Sequence, residues 1–171
     1  MSQKKKNLSE YKTNVVPSAI DMKFGIIVSE WNEKITFSLK DACVKTLQEH
    51  GANEEDIKII YVPGAFELPM AANMMLVKEN LSAVICLGCV IKGETKHDEY
   101  ISHAVANGLV NLGMLSGKPV IYGVLTPNNM TQALDRSGGK HGNKGVEAAI
   151  SAIKMASLSK DMGKSKKRIG F

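Results

Sequence analysis

The stretch SAVICLGCVIKGETKHDEY, residues 82–100, carries ten apolar or small residues in a row and then turns abruptly polar. A strand with one face in water alternates apolar and polar side chains. A run with no alternation is the mark of a strand covered on both faces, as in a parallel sheet between helices. The polar half opens with a glycine and continues as a helix with apolar positions at Ile101, Val105, Leu109 and Leu112. This single stretch therefore predicts a strand, a turn and a crossover helix.

Three more runs of strand length read the same way: KFGIIVSEW (23–31), IKIIYV (57–62) and PVIYGVLT (119–126). Helical stripes fall between them. Ile35, Leu39, Cys43 and Leu47 share one face, and Phe66, Met70, Met74 and Val77 share another. A short helix over 129–136 and a longer one over 144–162 follow the last strand. The order β-α-β-α-β-α-β-α-α with right-handed crossovers predicts an α/β fold: a flavodoxin-like three-layer α/β/α sandwich on a four-stranded parallel sheet. Residues 1–14 read as a flexible arm, with Val15 and Val16 as a short strand. The single domain runs over 15–162, and 163–171 form a basic tail.

Composition narrows the function. With 171 residues and 44% hydrophobic content the chain suits one domain with a real core. Its longest uncharged apolar run is far shorter than the ~20 residues that span a bilayer. No secretory signal follows the N-terminal lysines, so a cytoplasmic location without membrane association is expected. The net charge of +5 is concentrated in MSQKKK and KSKKR. Aromatics make up only 5% and are not interleaved with basic residues, so solvated tails are expected rather than nucleic-acid contacts. Retention on DNA through those tails is the reading they would have to exclude.

Cys86 and Cys89 form a CxxC inside a strand, where residues three apart face opposite ways. No second CxxC or HxxxH accompanies them, so buried structural thiols are expected and neither a metal nor an organic cofactor is.

Ligands of parallel α/β sheets bind beyond the carboxyl ends of the strands, which directs attention to four turns. After the first strand stands Trp31, the one tryptophan, free to pack or to stack on a flat ligand. After the second comes VPGAFELP (62–69), in which Glu67 either favours the helix start or meets a polar ligand. After the third, Gly93, Glu94 and Thr95 lead into a helix whose first turn holds His97. Thr95 with Asp98 three residues on reads as a helix cap, and the same N–H groups suit a phosphate. His97 is a surface histidine or a proton carrier near neutral pH. After the fourth, Arg136 and Lys144 flank the glycine-rich LDRSGGKHGNKG (134–145), read as a mobile loop with two cations. It matches neither GxxxxGK[ST] nor GxGxxG.

Four long motifs in order, WNEKIT (31–36), VPGAFELP, GCVIKGETKHDEY (88–100) and GVLTPNNMTQALDRSGGKHGNKG (123–145), resemble the 6,7-dimethyl-8-ribityllumazine synthase family of riboflavin biosynthesis. The resemblance implies a transferase that condenses 5-amino-6-(D-ribitylamino)uracil with 3,4-dihydroxy-2-butanone 4-phosphate. It assigns Trp31 to stacking on the pyrimidine, and Ala65, Phe66 and Glu67 to the ribityl chain. Cys89, Val90 and Ile91 would offer backbone groups to the ring edge, and Glu94 and Thr95 would bind the phosphate. His97 would carry protons. Tyr122 and Arg136 would come from a neighbouring subunit, and Lys144 would contact the heterocycle. Trp31 and Tyr122 stand where phenylalanine is usual, Lys92 where arginine is frequent and Asp135 where glutamate is frequent, all with the needed character kept. The resemblance also implies homopentamers, with the compact GGKHGNKG segment leaning towards a sixty-subunit capsid. The rival class is a non-catalytic flavodoxin-like module that binds a flavin or a nucleotide.

Overall fold

A computed structural model describes residues 7, 9–12 and 15–165. Both basic tails, MSQKKK and all but the first two residues of KSKKR, lie outside that range. The chain runs through β1 (Phe24–Ser29), α1 (Glu33–Glu49), β2 (Ile57–Val62), α2 (Leu68–Lys78), β3 (Ala83–Cys89), α3 (His97–Ser116), β4 (Val120–Leu125), α4 (Met130–Asp135), β5 (Ser137–Gly139), β6 (Gly142–Asn143) and α5 (Lys144–Ser165). The first four strands form one parallel sheet in the order β2-β1-β3-β4. β5 and β6 make a small antiparallel hairpin.

The continuous apolar runs mark the two central strands. Every residue of β1 and β3 is buried. One face of the sheet packs on α1 and α5 through Ile26, Leu39, Leu47, Ile85 and Ile153. The other packs on α2 and α3 through Ile27, Leu68, Val84, Val105 and Leu109. These are the two outer layers of the sandwich. Cys86 belongs to the second face and Cys89 to the first, so the CxxC sulfurs are divided by the sheet.

Two expectations need correction. β2 is apolar yet exposed along most of its length, because it is the sheet's edge and the helix layers reach little of it beyond Ile57, Val62 and the contact of the Phe37 ring with Tyr61. Val15 and Val16 form no strand: Val15 lies in a single helical turn and Val16 in a bend, with Val16 packed on the α1/α5 layer.

The approach of α5 to α1 depends on Gly145. A Cβ there would collide with the Leu39 carbonyl. This close contact brings the start of α5, and with it the β5–β6 hairpin, against the body of the domain.

Candidate active site

The strand order reverses direction between β1 and β3, and their carboxyl ends diverge there into a crevice. The β1–α1 turn forms one side. Asn32 takes a left-handed backbone conformation (φ 61°), which an Asn side chain tolerates. Its Nδ2 donates to the Cys89 carbonyl at 3.0 Å, tying the first turn to the third. Trp31 precedes it, with its N–H donating to the Pro63 carbonyl at 3.1 Å. The indole leans on Gly64, where a Cβ would come within 3.4 Å of the ring, and is still 67% exposed. It therefore both packs and presents a free aromatic surface.

The β2–α2 turn forms the second side. Residues Ala65–Glu67 make a single tight helical turn before α2 begins at Leu68, with Pro69 in its first turn. Glu67 Oε2 accepts the Gly64 N–H at 3.0 Å, so this N–H is held by the protein's own carboxylate. Phe66 projects outward, 60% exposed.

The β3–α3 turn forms the third. Backbone pairing with the β4 strand continues past Cys89, with Val90 N–H donating to Leu125 and Lys92 N–H to Pro127. This fixes Val90 and Ile91 as an extended edge. Thr95 does not cap α3 as the sequence predicts. Lys96 holds the cap position, and Thr95 Oγ1 accepts the His97 N–H at a long 3.4 Å. Asp98 passes over Thr95 and accepts instead from the Gly93 N–H, at 3.3 Å. Gly93 itself has no left-handed φ, and a Cβ there would meet nothing within 4 Å. The fold of this chain does not require a glycine at 93.

These three turns enclose one open cleft of about 830 Å³. Trp31, Ala65, Phe66, Glu67, Cys89, Val90, Ile91, Thr95 and His97 all line it. Sequence reasoning missed Asn32, Asp98, Tyr100, Ile101 and Ala104, which line it too. The helical spacing of Tyr100, Ile101 and Ala104 with His97 was the signal that could have found three of them. Glu67 and Asp98 give the cleft two carboxylates, and no lysine or arginine lines it. Burial pushes the Cys89 thiol up to about 11, so near neutral pH it is a neutral wall and not a nucleophile.

Glu94, Tyr122, Arg136 and Lys144 are not among the lining residues. Tyr122 lies half-buried in β4, and burial raises its phenol above the ordinary value. The glycine-rich segment is an ordered hairpin rather than a loose loop. Asn143 donates to the Ser38 carbonyl at 3.2 Å and accepts the Gly145 N–H at 2.8 Å. Arg136 is clamped by Glu147 Oε1 at 2.8 Å and donates to the His141 carbonyl at 2.8 Å. Lys144 meets the other Glu147 oxygen at 3.1 Å. The two cations thus form one unit about a shared carboxylate. Ser9, from the N-terminal arm, joins it through the Asn143 carbonyl at 2.9 Å.

No helix among the described residues is long and apolar enough to cross a membrane. No group of three or more metal-binding side chains occurs among them.

The profile of the 6,7-dimethyl-8-ribityllumazine synthase family matches residues 21–160. A 6,7-dimethyl-8-ribityllumazine synthase of Cytophaga hutchinsonii is 50% identical over 155 residues, covering 91% of this chain and 97% of its own. One from Bacteroides fragilis is 54% identical over 134 residues, 78% and 94% of the two chains. Another, from Flavobacterium johnsoniae, is 50% identical over 156 residues, 91% and 82%.

Proposed function

The chain belongs to the 6,7-dimethyl-8-ribityllumazine synthase family, and from that premise we propose how its cleft carries out the reaction. It is a transferase of riboflavin biosynthesis. The condensation joins 5-amino-6-(D-ribitylamino)uracil and 3,4-dihydroxy-2-butanone 4-phosphate into the lumazine, with loss of phosphate and water. The observation that carries the assignment of roles is the single cleft at the β1/β3 divergence, where a free aromatic face, an extended backbone edge and a histidine meet.

The pyrimidine ring stacks on Trp31, and the backbone of Cys89, Val90 and Ile91 pairs with its polar edge. The ribityl chain lies along Ala65 and Phe66, where the Glu67 carboxylate accepts its hydroxyls. The phosphate sits at the β3–α3 turn, served by Gly93, Glu94 and Thr95 backbone N–H groups and the Thr95 hydroxyl. The free space at Gly93 supports this placement, because a glycine that the fold does not need leaves room for a close anion.

With both substrates so held, the primary chemistry is alignment. The amine attacks the ketone carbonyl and water leaves as the imine forms. A proton is removed from the adjacent carbon and phosphate leaves. The resulting enol becomes a carbonyl, on which the second amine closes the ring with loss of a second water. Fixed geometry can lower such a barrier by at most ~7–11 kcal/mol. His97, exposed at the start of α3, takes and returns the protons, an effect of about 10²–10⁴-fold. A leaving phosphate needs a cation, and the cleft lining holds none. Arg136, on the preformed Arg136–Glu147–Lys144 unit, supplies it from a second copy of the chain, together with Tyr122 on the ring. Lys144 contacts the heterocycle from the same unit.

That reading makes the working form a homo-oligomer, a pentamer or a sixty-subunit capsid of pentamers. It is supported by apolar side chains left exposed on β2 (Ile59, Ile60, Tyr61), α2 (Met70, Met74, Val77) and α3 (Val110, Met114, Leu115). The compact hairpin supports the capsid, and sedimentation showing pentamers alone would contradict that part. The alternative of a non-catalytic flavin or nucleotide module is not favoured, since the relatives spanning most of the chain are synthases. Mixing the two substrates with the protein and following the lumazine absorbance tests the function. Formation well above the rate in buffer is expected, and the buffer rate alone would refute it.

A further inference from the structure

The β3–α3 turn contains one residue that behaves unlike its neighbours. From 92 to 100 every side chain is exposed except Asp98, which is half-buried and lines the cleft. Its carboxylate makes no capping hydrogen bond at the start of α3. Oδ1 reaches back five residues and accepts the Gly93 N–H at 3.3 Å. That donor belongs to the turn read above as the phosphate site, and a carboxylate is the nearest thing to a phosphate that a side chain can offer. Lys92 and Lys96 stand in the same turn but outside the cleft lining. Glu67 lines the same cleft, His97 is adjacent, and no lysine or arginine is in the lining.

We propose that Asp98 is a built-in competitor for the phosphate: it occupies the Gly93 N–H in the anion's place, and its charge sets how firmly substrate and product phosphate are held. The inference rests on the placement of the phosphate at residues 93–95. Two consequences follow from the chemistry. The carboxylate keeps the turn shaped for an acceptor, because the N–H already points at an oxygen. It also repels a dianion only a few ångströms away, an effect moderated by solvent at this partly exposed position. Inorganic phosphate, which has no other handle, is weakened most. The ketone phosphate also gains from alignment against the ring and from the Arg136 unit, so it suffers less. Asp98 thereby favours release of the phosphate product over its retention, and acts as a specificity-determining residue for the anionic end of the substrate.

Asp98→Asn tests this cleanly, because an Asn Oδ1 can still accept the Gly93 N–H while the charge is gone. The full-length assembled protein is assayed for competitive inhibition by inorganic phosphate and for KM of each substrate. Asp98→Asn is expected to bind inorganic phosphate about three- to tenfold more tightly. KM for the ketone phosphate falls by a smaller factor, and KM for the aminouracil is unchanged. Asp98→Ala, which loses the charge and frees the N–H, should shift phosphate binding in the same direction. A purely structural role predicts the opposite pattern, with Asp98→Asn like the parent and Asp98→Ala weaker, and that pattern would overturn the proposal. Thr95→Ala serves as the check on the site itself. If Thr95→Ala weakens phosphate binding and Asp98→Asn leaves it unchanged, Asp98 alone is wrongly assigned. If neither change moves it, the phosphate turn fails as well.

Discussion

Replacing Gly93 by alanine separates what the fold needs from what the ligand needs. The backbone at 93 is not left-handed, and an added Cβ meets no atom within 4 Å, so the fold should accept the methyl without strain. Alanine narrows the conformations of the unfolded chain, which stabilises a compatible site by about 0.4–1 kcal/mol. For a domain of this size that raises Tm by roughly 1–4 °C. Binding should move the other way. A hydrogen bond to a charged partner contributes about 1.5–3 kcal/mol, and a methyl group that keeps the phosphate from the turn forfeits it. KM for the ketone phosphate, and the inhibition constant for inorganic phosphate, should then rise about ten- to hundredfold. KM for the aminouracil, which is held at Trp31 and the β3 edge, should stay put. Thermal unfolding and initial-rate kinetics on one preparation give all the numbers. An unchanged KM for the ketone phosphate would refute the reasoning at its binding end, and a lowered Tm would refute it at its packing end.

Three further changes probe other parts of the molecule. His97→Ala should slow turnover by about two orders of magnitude or more and leave measurable activity, since alignment survives the loss of the proton carrier; complete inactivity in a folded assembly would contradict that division. Gly145→Ala drives a Cβ into the Leu39 carbonyl, so α5 must shift from α1; urea denaturation should show a loss of about 3 kcal/mol or more, and a loss under about 1 kcal/mol would show that the two helices give way easily. Burial raises the thiols of Cys43 and Cys86 and pushes Cys89 up to about 11. The folded chain therefore holds its protons where the unfolded chain releases them. Stability from the thiols is fully present below the ordinary thiol pKa near ~9 and falls as pH rises through the folded values. For Cys89 alone that amounts to about 3 kcal/mol by pH ~11, and a denaturation midpoint flat from pH 8 to pH 11 would contradict it.

The sheet was legible in the sequence because two of its strands, Phe24–Ser29 and Ala83–Cys89, are buried on both faces and carry the unbroken apolar runs that such burial demands. The exposure of β2 was not legible. Its sequence, IKIIYV, looks like that of a covered strand, and only the strand order places it at the edge. The turns behaved in the same way. Trp31, Glu67 and His97 announced themselves by residue type at a strand end, and all three line the cleft. Asn32 and Asp98 did not, because their roles lie in where a side chain turns: one crosses to the Cys89 carbonyl, the other bypasses the expected cap at Thr95 for Gly93. The segment 134–145 read as a mobile loop because glycine-rich sequences have weak local preferences. Its order comes from distant partners, Ser38 on α1 and Ser9 on the arm, which no local pattern shows. Likewise the pairing of Arg136 and Lys144 through Glu147 joins residues across a hairpin that the sequence does not reveal.

The central claim is that a cleft on one copy is completed by a cation from another, and mixed assemblies test it most directly. One variant carries Glu67→Ala with His97→Ala and damages the cleft. The other carries Arg136→Ala and keeps the cleft. Each alone should be severely impaired. Co-assembled in equal amounts, they should regain activity approaching about a quarter of the parent's, because that share of interfaces pairs an intact cleft with an intact arginine. Mixed assemblies no more active than the average of the two separate variants would contradict the account and return Arg136 to the chain that bears it.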